Sequence, residues 1–133
     1  ALLAPGGRIA WHDWLAGPGG APHWPLFWSA DGAISFLSAE EGFATDLAAA
    51  GLSLRRFEPI PGPTLGWLGA SSVALAAALG KAGARAPQEP ARIERLRRLI
   101  EETENARRSV AEQRIVPFFA EAAADWTSIR QCF

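Results

Sequence analysis

The stretch Leu2-Leu3-Ala4-Pro5-Gly6-Gly7-Arg8-Ile9-Ala10-Trp11-His12-Asp13-Trp14 decides how the rest of the 133-residue chain is read. Pro5 has no backbone N–H and clashes with a preceding helical turn, so a helix running through residues 1–4 ends there. Gly6 and Gly7 can take the positive φ that a tight turn needs. Arg8 to His12 then make a short, mostly apolar strand, with Asp13 at its carboxyl end. Ligands of open α/β sheets bind at the carboxyl ends of the strands, which directs attention to Asp13 and its neighbours.

Downstream, Leu15 to Pro25 is dense in Gly and Pro and reads as a long loop. It carries His23, Trp24, Phe27 and Trp28, side chains costly to leave in water, so it is expected to fold over something. Ser38-Ala39-Glu40-Glu41 has the pattern of a capping box. A helix follows to about Ala50, with Phe43, Leu47 and Ala50 on one face and Gly51 as its stop. Leu52 to Ile60 is the second strand, with Leu52, Leu54 and Arg56 sharing a face. Pro59 to Thr64 reads as a rigid turn. Thr64 to about Leu79 is a helix weakened by Gly66 and Gly69, and Gly80 to Pro90 is a loop. Ala91 to about Glu112 is the clearest helix, with Ile93, Leu96, Leu99, Ile100, Ala106 and Val110 on one stripe. Glu94–Arg98 and Glu104–Arg108 have i,i+4 spacing. Gln113 to Ala122 is the third strand. Pro117 cannot donate to a ladder, which argues for an edge or irregular position. The organisation is therefore one domain over 1–122 and a tail over 123–133, with Trp126, Ile129 and Phe133 as the tail's apolar face.

Bulk properties narrow the function classes. Hydrophobic residues make up 49% and charged residues 20%, the balance of a folded domain rather than a disordered one. A net charge of −1 gives no general attraction to nucleic acid or to a membrane surface. Basic residues between Arg92 and Arg108 alternate with Glu94, Glu101, Glu102 and Glu104, the pattern of a solvated helix face. The single Cys132 excludes an internal disulfide framework and a multi-cysteine zinc site, leaving a reduced, cytoplasmic setting as the default. No apolar run of about 18 or more residues is expected, so no membrane span is expected. Nor does a basic-then-apolar signal peptide open the chain. The absence of Met and the opening in a helix end are expected of a fragment, with N-terminal processing as the other explanation.

Leu-x-Pro-Gly-Gly-Arg, an apolar strand and a terminal Asp resemble the fifth-strand region of class I S-adenosylmethionine-dependent methyltransferases. The similarity is to the small-molecule branch around the ubiquinone/menaquinone and glycine/sarcosine/dimethylglycine enzymes. Ser-x-x-Glu, helix, Ala-Ala-Gly-Leu and strand are similar to that fold's fifth helix and sixth strand. A charged helix leading into Arg114-Ile115 and an apolar run is similar to its final strand. The resemblance implies an α/β fold: the C-terminal part of a Rossmann-like methyltransferase sheet, three strands with the last antiparallel between the others, plus inserted helices. It implies a parent enzyme in which an acceptor O, N or C attacks a sulfonium methyl. The family's acidic, glycine-rich loop and its acidic residue after the second strand are not in this chain. S-adenosylmethionine is thus expected to bind the parent at a site not built by these residues, and the chain alone is expected to be inactive.

Candidate site residues follow. His12 can act as a general base, since imidazole titrates near neutrality; otherwise it is a satisfied rim residue. Asp13, Trp14, Trp24 and Trp28 are candidates for holding the small-molecule acceptor. Trp11, Trp14, Trp24, Phe27, Trp28, Phe36 and Trp67 together can cage a methylated ammonium through cation–π attraction, or serve as loop anchors and core. No spacing suggests a metal site. The Gly17–Gly20 loop lacks the Lys and following helix of a P-loop. As a fragment, the chain is expected to pair with its own N-terminal half or to self-associate. The alternatives are a stand-alone α+β dimerisation or interaction domain, and a non-catalytic methyltransferase-like partner.

Overall fold

Among the described residues six elements follow one another: β1 (Arg8–Ala16), α1 (Glu40–Ala49), β2 (Leu52–Pro59), α2 (Pro61–Gly83), α3 (Pro90–Ala111) and β3 (Ile115–Ala124). The structure, a computed structural model, describes residues 3–84 and 89–125. The expected helix end at Leu2, part of the 80–90 loop, and the tail residues Trp126, Ile129, Cys132 and Phe133 lie outside the described residues.

The chain is mixed α/β, with one open antiparallel sheet in the order β1-β3-β2. β3 pairs with β1 from Arg8↔Ala123 to Ala16↔Ile115, and with β2 from Leu52↔Ala124 to Pro59↔Phe118. The three expected strands thus form one sheet, with the last in sequence central. Pro117 sits inside this central strand rather than on an edge. Its carbonyl accepts from Ile60 N at 2.8 Å. N–H and C=O of one strand residue point the same way, so the missing N–H faces the point where β2 has already ended. The ladder loses little there.

α1 lies on one face of the sheet. Phe43 meets Phe118, Phe57 and Trp11, with ring centroids 5.0, 5.8 and 6.0 Å apart. The other face is covered by α2, α3 and the loop after β1, through Leu26, Leu68, Ala106, Val110 and Ile115. An irregularity between Leu54 and Arg56 changes the strand's facing. Leu54 and Phe57 both pack on the Phe118 cluster, while Arg56 lies over the Phe119 ring, 5.1 Å from its centroid. The expected sharing of a face by Leu54 and Arg56 is therefore corrected by a bulge, which resets the two-residue period.

Helix boundaries differ from the expectations in three ways. α1 is capped by Ala39 without a side-chain bond, so the Ser38–Glu41 box does not form. The Ser38 carbonyl instead accepts from Ala16 N at 2.9 Å, tying that residue to the end of β1. α2 begins at Pro61, because Pro is tolerated in a first turn whose N–H groups have no partner anyway, and it continues to Gly83. On α3 the expected i,i+4 pairs are replaced. Arg98 donates to Glu102, and Arg107 to Glu104. Among the described residues α2 is also the one helix long and apolar enough to cross a membrane, by length and composition alone, with mean hydropathy 1.3. This corrects the expectation that no segment reaches that threshold. α2 packs along α3 with Leu68 and Ala82 buried, and most of its other residues face outward.

Candidate functional site

β1 runs on to Ala16, so Asp13 and Trp14 lie within its last turns of alternation rather than beyond its end, opposite Phe118 and Pro117. The strand is long because Leu15, buried, still has Val116 as its partner. Trp14 sits opposite a residue without an N–H, and its own N–H points to the open edge. Asp13 Oδ1 accepts that N–H at 2.8 Å.

Two clefts meet at this point. The first, about 350 Å³, is lined by His12, Asp13, Trp14, Thr64, Trp67 and Phe118, among others. The second, about 280 Å³, has Asp13, Trp14, Trp28, Phe36, Phe43 and Phe118 in its wall. Asp13, Trp14 and Phe118 are common to both. The indoles of Trp14 and Trp28 stand 5.7 Å apart at 34°. Trp28 is fixed by its Nε1–H donating to Ser35 Oγ at 3.0 Å. The structure therefore gathers His12, Asp13, Trp14 and Trp28. It does not bring Trp24 to them. Trp24 packs in the core against Gly32, where a Cβ would come within 2.8 Å of the indole, and it lines neither cleft.

The two histidines are held differently. The His12 ring is exposed and stands edge-on to Phe119 at 5.4 Å. Among the described residues no side chain hydrogen-bonds it and selects its tautomer. His23 is held on both sides: its backbone N–H donates to buried Ser109 Oγ at 2.9 Å, and its Nε2 meets Glu112 Oε2.

His23 belongs to a set of anchors whose partners on α3 sequence reading did not single out. Asn105 Nδ2 donates to Pro25 O at 3.0 Å and Arg114 Nη1 to Ala21 O at 2.6 Å. Asn105, Ser109 and Glu112 recur along one stripe of α3 and its end. The long loop after β1 thus folds over α3, and this placement sets Trp28 beside Trp14. Spacing of four and three residues along a helix was the available signal.

Glu112 also accepts from Arg114 Nε at 2.8 Å. Hydrogen bonds from His23 and then from Arg114 hold its carboxyl below the usual glutamate range. Folding lowers this pKa, so the contribution is complete above the unfolded value of about 4.3 and is lost as pH falls below it. Glu112→Gln is expected to destabilise the protein at pH 6, with the gap to wild type narrowing as the pH is taken down to 3. Urea denaturation at the two pH values measures this, and a pH-independent gap would contradict it.

No group of three or more His, Cys, Asp or Glu side chains gathers among the described residues. Nor is a seat for a nucleotide-like cofactor formed by the glycine-rich loop. Gly17 N donates to Arg114 O at 2.9 Å and Gly19 N to Gln113 O at 2.8 Å, so these groups hold the chain's own turn. Comparison with protein-family models, with curated proteins and with solved structures finds no match.

Proposed function

We propose that this chain is the acceptor-side portion of an S-adenosylmethionine-dependent methyltransferase acting on a small molecule in the cytoplasm. The observation that carries the reading is the strand order β1-β3-β2 with the last strand antiparallel in the middle. This is the order that the resemblance implies for the end of such a sheet. Two clefts at the carboxyl end of β1 add to it, since that is where open α/β sheets take ligands. In this reading Asp13, Trp14 and Trp28 hold the acceptor. His12, exposed on the wall of the first cleft, is the available base. The residues present do not fit the methyl donor, so its seat belongs to another part of the polypeptide.

The test is calorimetric titration with S-adenosylmethionine, followed by transfer of a labelled methyl group. The 133-residue chain is expected to give no binding heat, and the full natural polypeptide to bind and transfer. Micromolar binding by the short chain would overturn the division of labour. Absence of binding by the full polypeptide would overturn the class.

One observation also favours a second reading, a stand-alone α+β pairing module. β1 is an edge strand. By the alternation of an antiparallel ladder, Ala10 and His12 turn their backbone groups outward, and such an edge is a template for another strand. In the first reading the edge receives a strand of the same polypeptide; in the second it receives a second copy. Sedimentation of the full polypeptide separates them, a monomer arguing against the second.

A further inference from the structure

The inner side of α2 packs on α3, with Leu68 and Ala82 buried. Gly62, Gly66, Ala70, Val73 and Ala77, three or four residues apart, share the opposite side and are all exposed. No Asp, Glu, Lys or Arg occurs from Pro61 to Gly80. The outward side of a surface helix is ordinarily charged. On α3 it is: Arg92, Arg95, Glu101 and Arg108 are exposed there. We propose that the outer side of α2 receives the same side of a second copy, the two helices lying antiparallel about a two-fold axis near Ala70.

Charge selects this occupant. A charged surface brought here would lose its water against a helix side with no group to pair it. The partner surface is therefore as uncharged as this one, and a second α2 is such a surface. Lys81 is the one charged residue of α2, near its end. An antiparallel pair sets the two Lys81 side chains at opposite ends of the contact, where a parallel pair would set them side by side. The glycines agree. A glycine inside a helix costs about 1 kcal/mol against alanine, yet a Cβ on Gly66 would meet nothing within 4 Å. Its bareness serves no described contact of the fold. It does serve a second helix, because the side chains at a crossing set how near two axes come. Val73, 72% exposed, lies two turns beyond Gly66. In the antiparallel pair each Val73 fills the gap over the partner's Gly66, and the two-fold makes that contact twice. A bilayer fits less well, since helices that lie in one insert several large apolar side chains, and this side offers Val73 with Trp67 on its flank.

The area sets the strength. The 23 residues of α2 make a rod about 34 Å long, and a strip about 10 Å wide along it is at the small end of specific contacts. The pair is weak and reversible, with a dissociation constant on the order of 10–100 μM. Pro63 and Trp67, on the flank of the contact, also line the first cleft, so pairing brings the second copy to that cleft's rim.

Sedimentation velocity of the full polypeptide, from low to high micromolar concentration, is the measurement. Wild type is expected to pass from monomer toward dimer. Gly66→Leu adds apolar surface and helix propensity, and is expected to weaken association by about tenfold or more. Ala70→Arg is expected to abolish it. Ala10→Pro, which removes an outward N–H from the β1 edge, is expected to leave it unchanged. Association unchanged or strengthened by Gly66→Leu would overturn the proposal, because a merely sticky surface gains from the added leucine. A wild type monomeric throughout would also overturn it. So would loss of pairing in Ala10→Pro, which would place the contact at the β1 edge instead. The pairing stands or falls apart from the methyltransferase reading, which the cofactor titration decides.

Discussion

Truncation of Phe118 to alanine is expected to cost about 3–5 kcal/mol, the range for emptying a large buried aromatic site. Phe118 is 1% exposed at the centre of β3, and its ring meets Phe43 of α1 at 5.0 Å and Phe57 of β2 at 5.2 Å. It also forms part of the wall shared by the two clefts. Loss of its ring therefore uncouples α1 from the sheet and the clefts from their floor. Domains of this kind are stable by only about 5–15 kcal/mol, so the variant is expected to lose most of its margin. Urea denaturation measures it. A change under about 1 kcal/mol would mean that α1 does not rest on this face.

Gly17→Ala is expected to be nearly as damaging by the opposite mechanism, overfilling. A Cβ at Gly17 would lie 2.0 Å from the carbonyl oxygen of Gln113, and one at Gly19 would lie 2.1 Å from that of Glu112. Both obstacles are backbone, at the turn between α3 and β3 where Gln113 itself has φ 56°. A flexible side chain could move aside; this turn cannot, because Arg114 N is tied to Ser109 O at 2.8 Å. The cost is expected at or above the upper end of the roughly 1–3 kcal/mol of ordinary overpacking. Release of the loop that carries Trp28 should accompany it, seen as a change in tryptophan fluorescence. Gly66→Ala is the control. Nothing lies within 4 Å of a Cβ there, so the helix gains propensity and stability rises by up to about 1 kcal/mol. Similar behaviour of the two variants would refute the close crossing.

Much of the fold is legible because its signals are local. Pro5-Gly6-Gly7 ahead of an apolar run, Gly51 between a helix and a strand, and the long stripe of α3 all carry their meaning within a few residues. Gly6 and Gly51 take φ values of 75° and 77°, the left-handed conformation the reading required. What escaped was set by partners distant in sequence. Ser38 and Glu41 match a capping box, yet Ser38 is drawn into a bridge with β1, over 20 residues away. Arg55 gives no sign that the strand bulges beside it, since a bulge belongs to the pairing and not to one strand's composition. Asn105, Ser109 and Glu112 look like a solvated helix face, and only the folded loop reveals them as anchors. The candidate site divides in the same way. Asp13 and Trp14 follow from the strand that carries them. Trp24 and Trp28 lie four residues apart on one loop and both pack against the core, and that Trp28 alone of the two also lines a cleft depends on how that loop is laid over α3.

The place of β3 in the chain has a consequence for biosynthesis. β1 and β2 have no ladder with each other, and both wait for Ile115–Ala124 to be made. Arg8 meets Ala123 and Leu52 meets Ala124, so the pairings that build the sheet close over long separations in sequence. Such long closures are slow to form. During translation β1 and β2 emerge before the central strand that unites them. A helper that shields apolar segments would be needed longest here. By the same logic a message truncated before Ile115 leaves β1 and β2 without the strand that joins them.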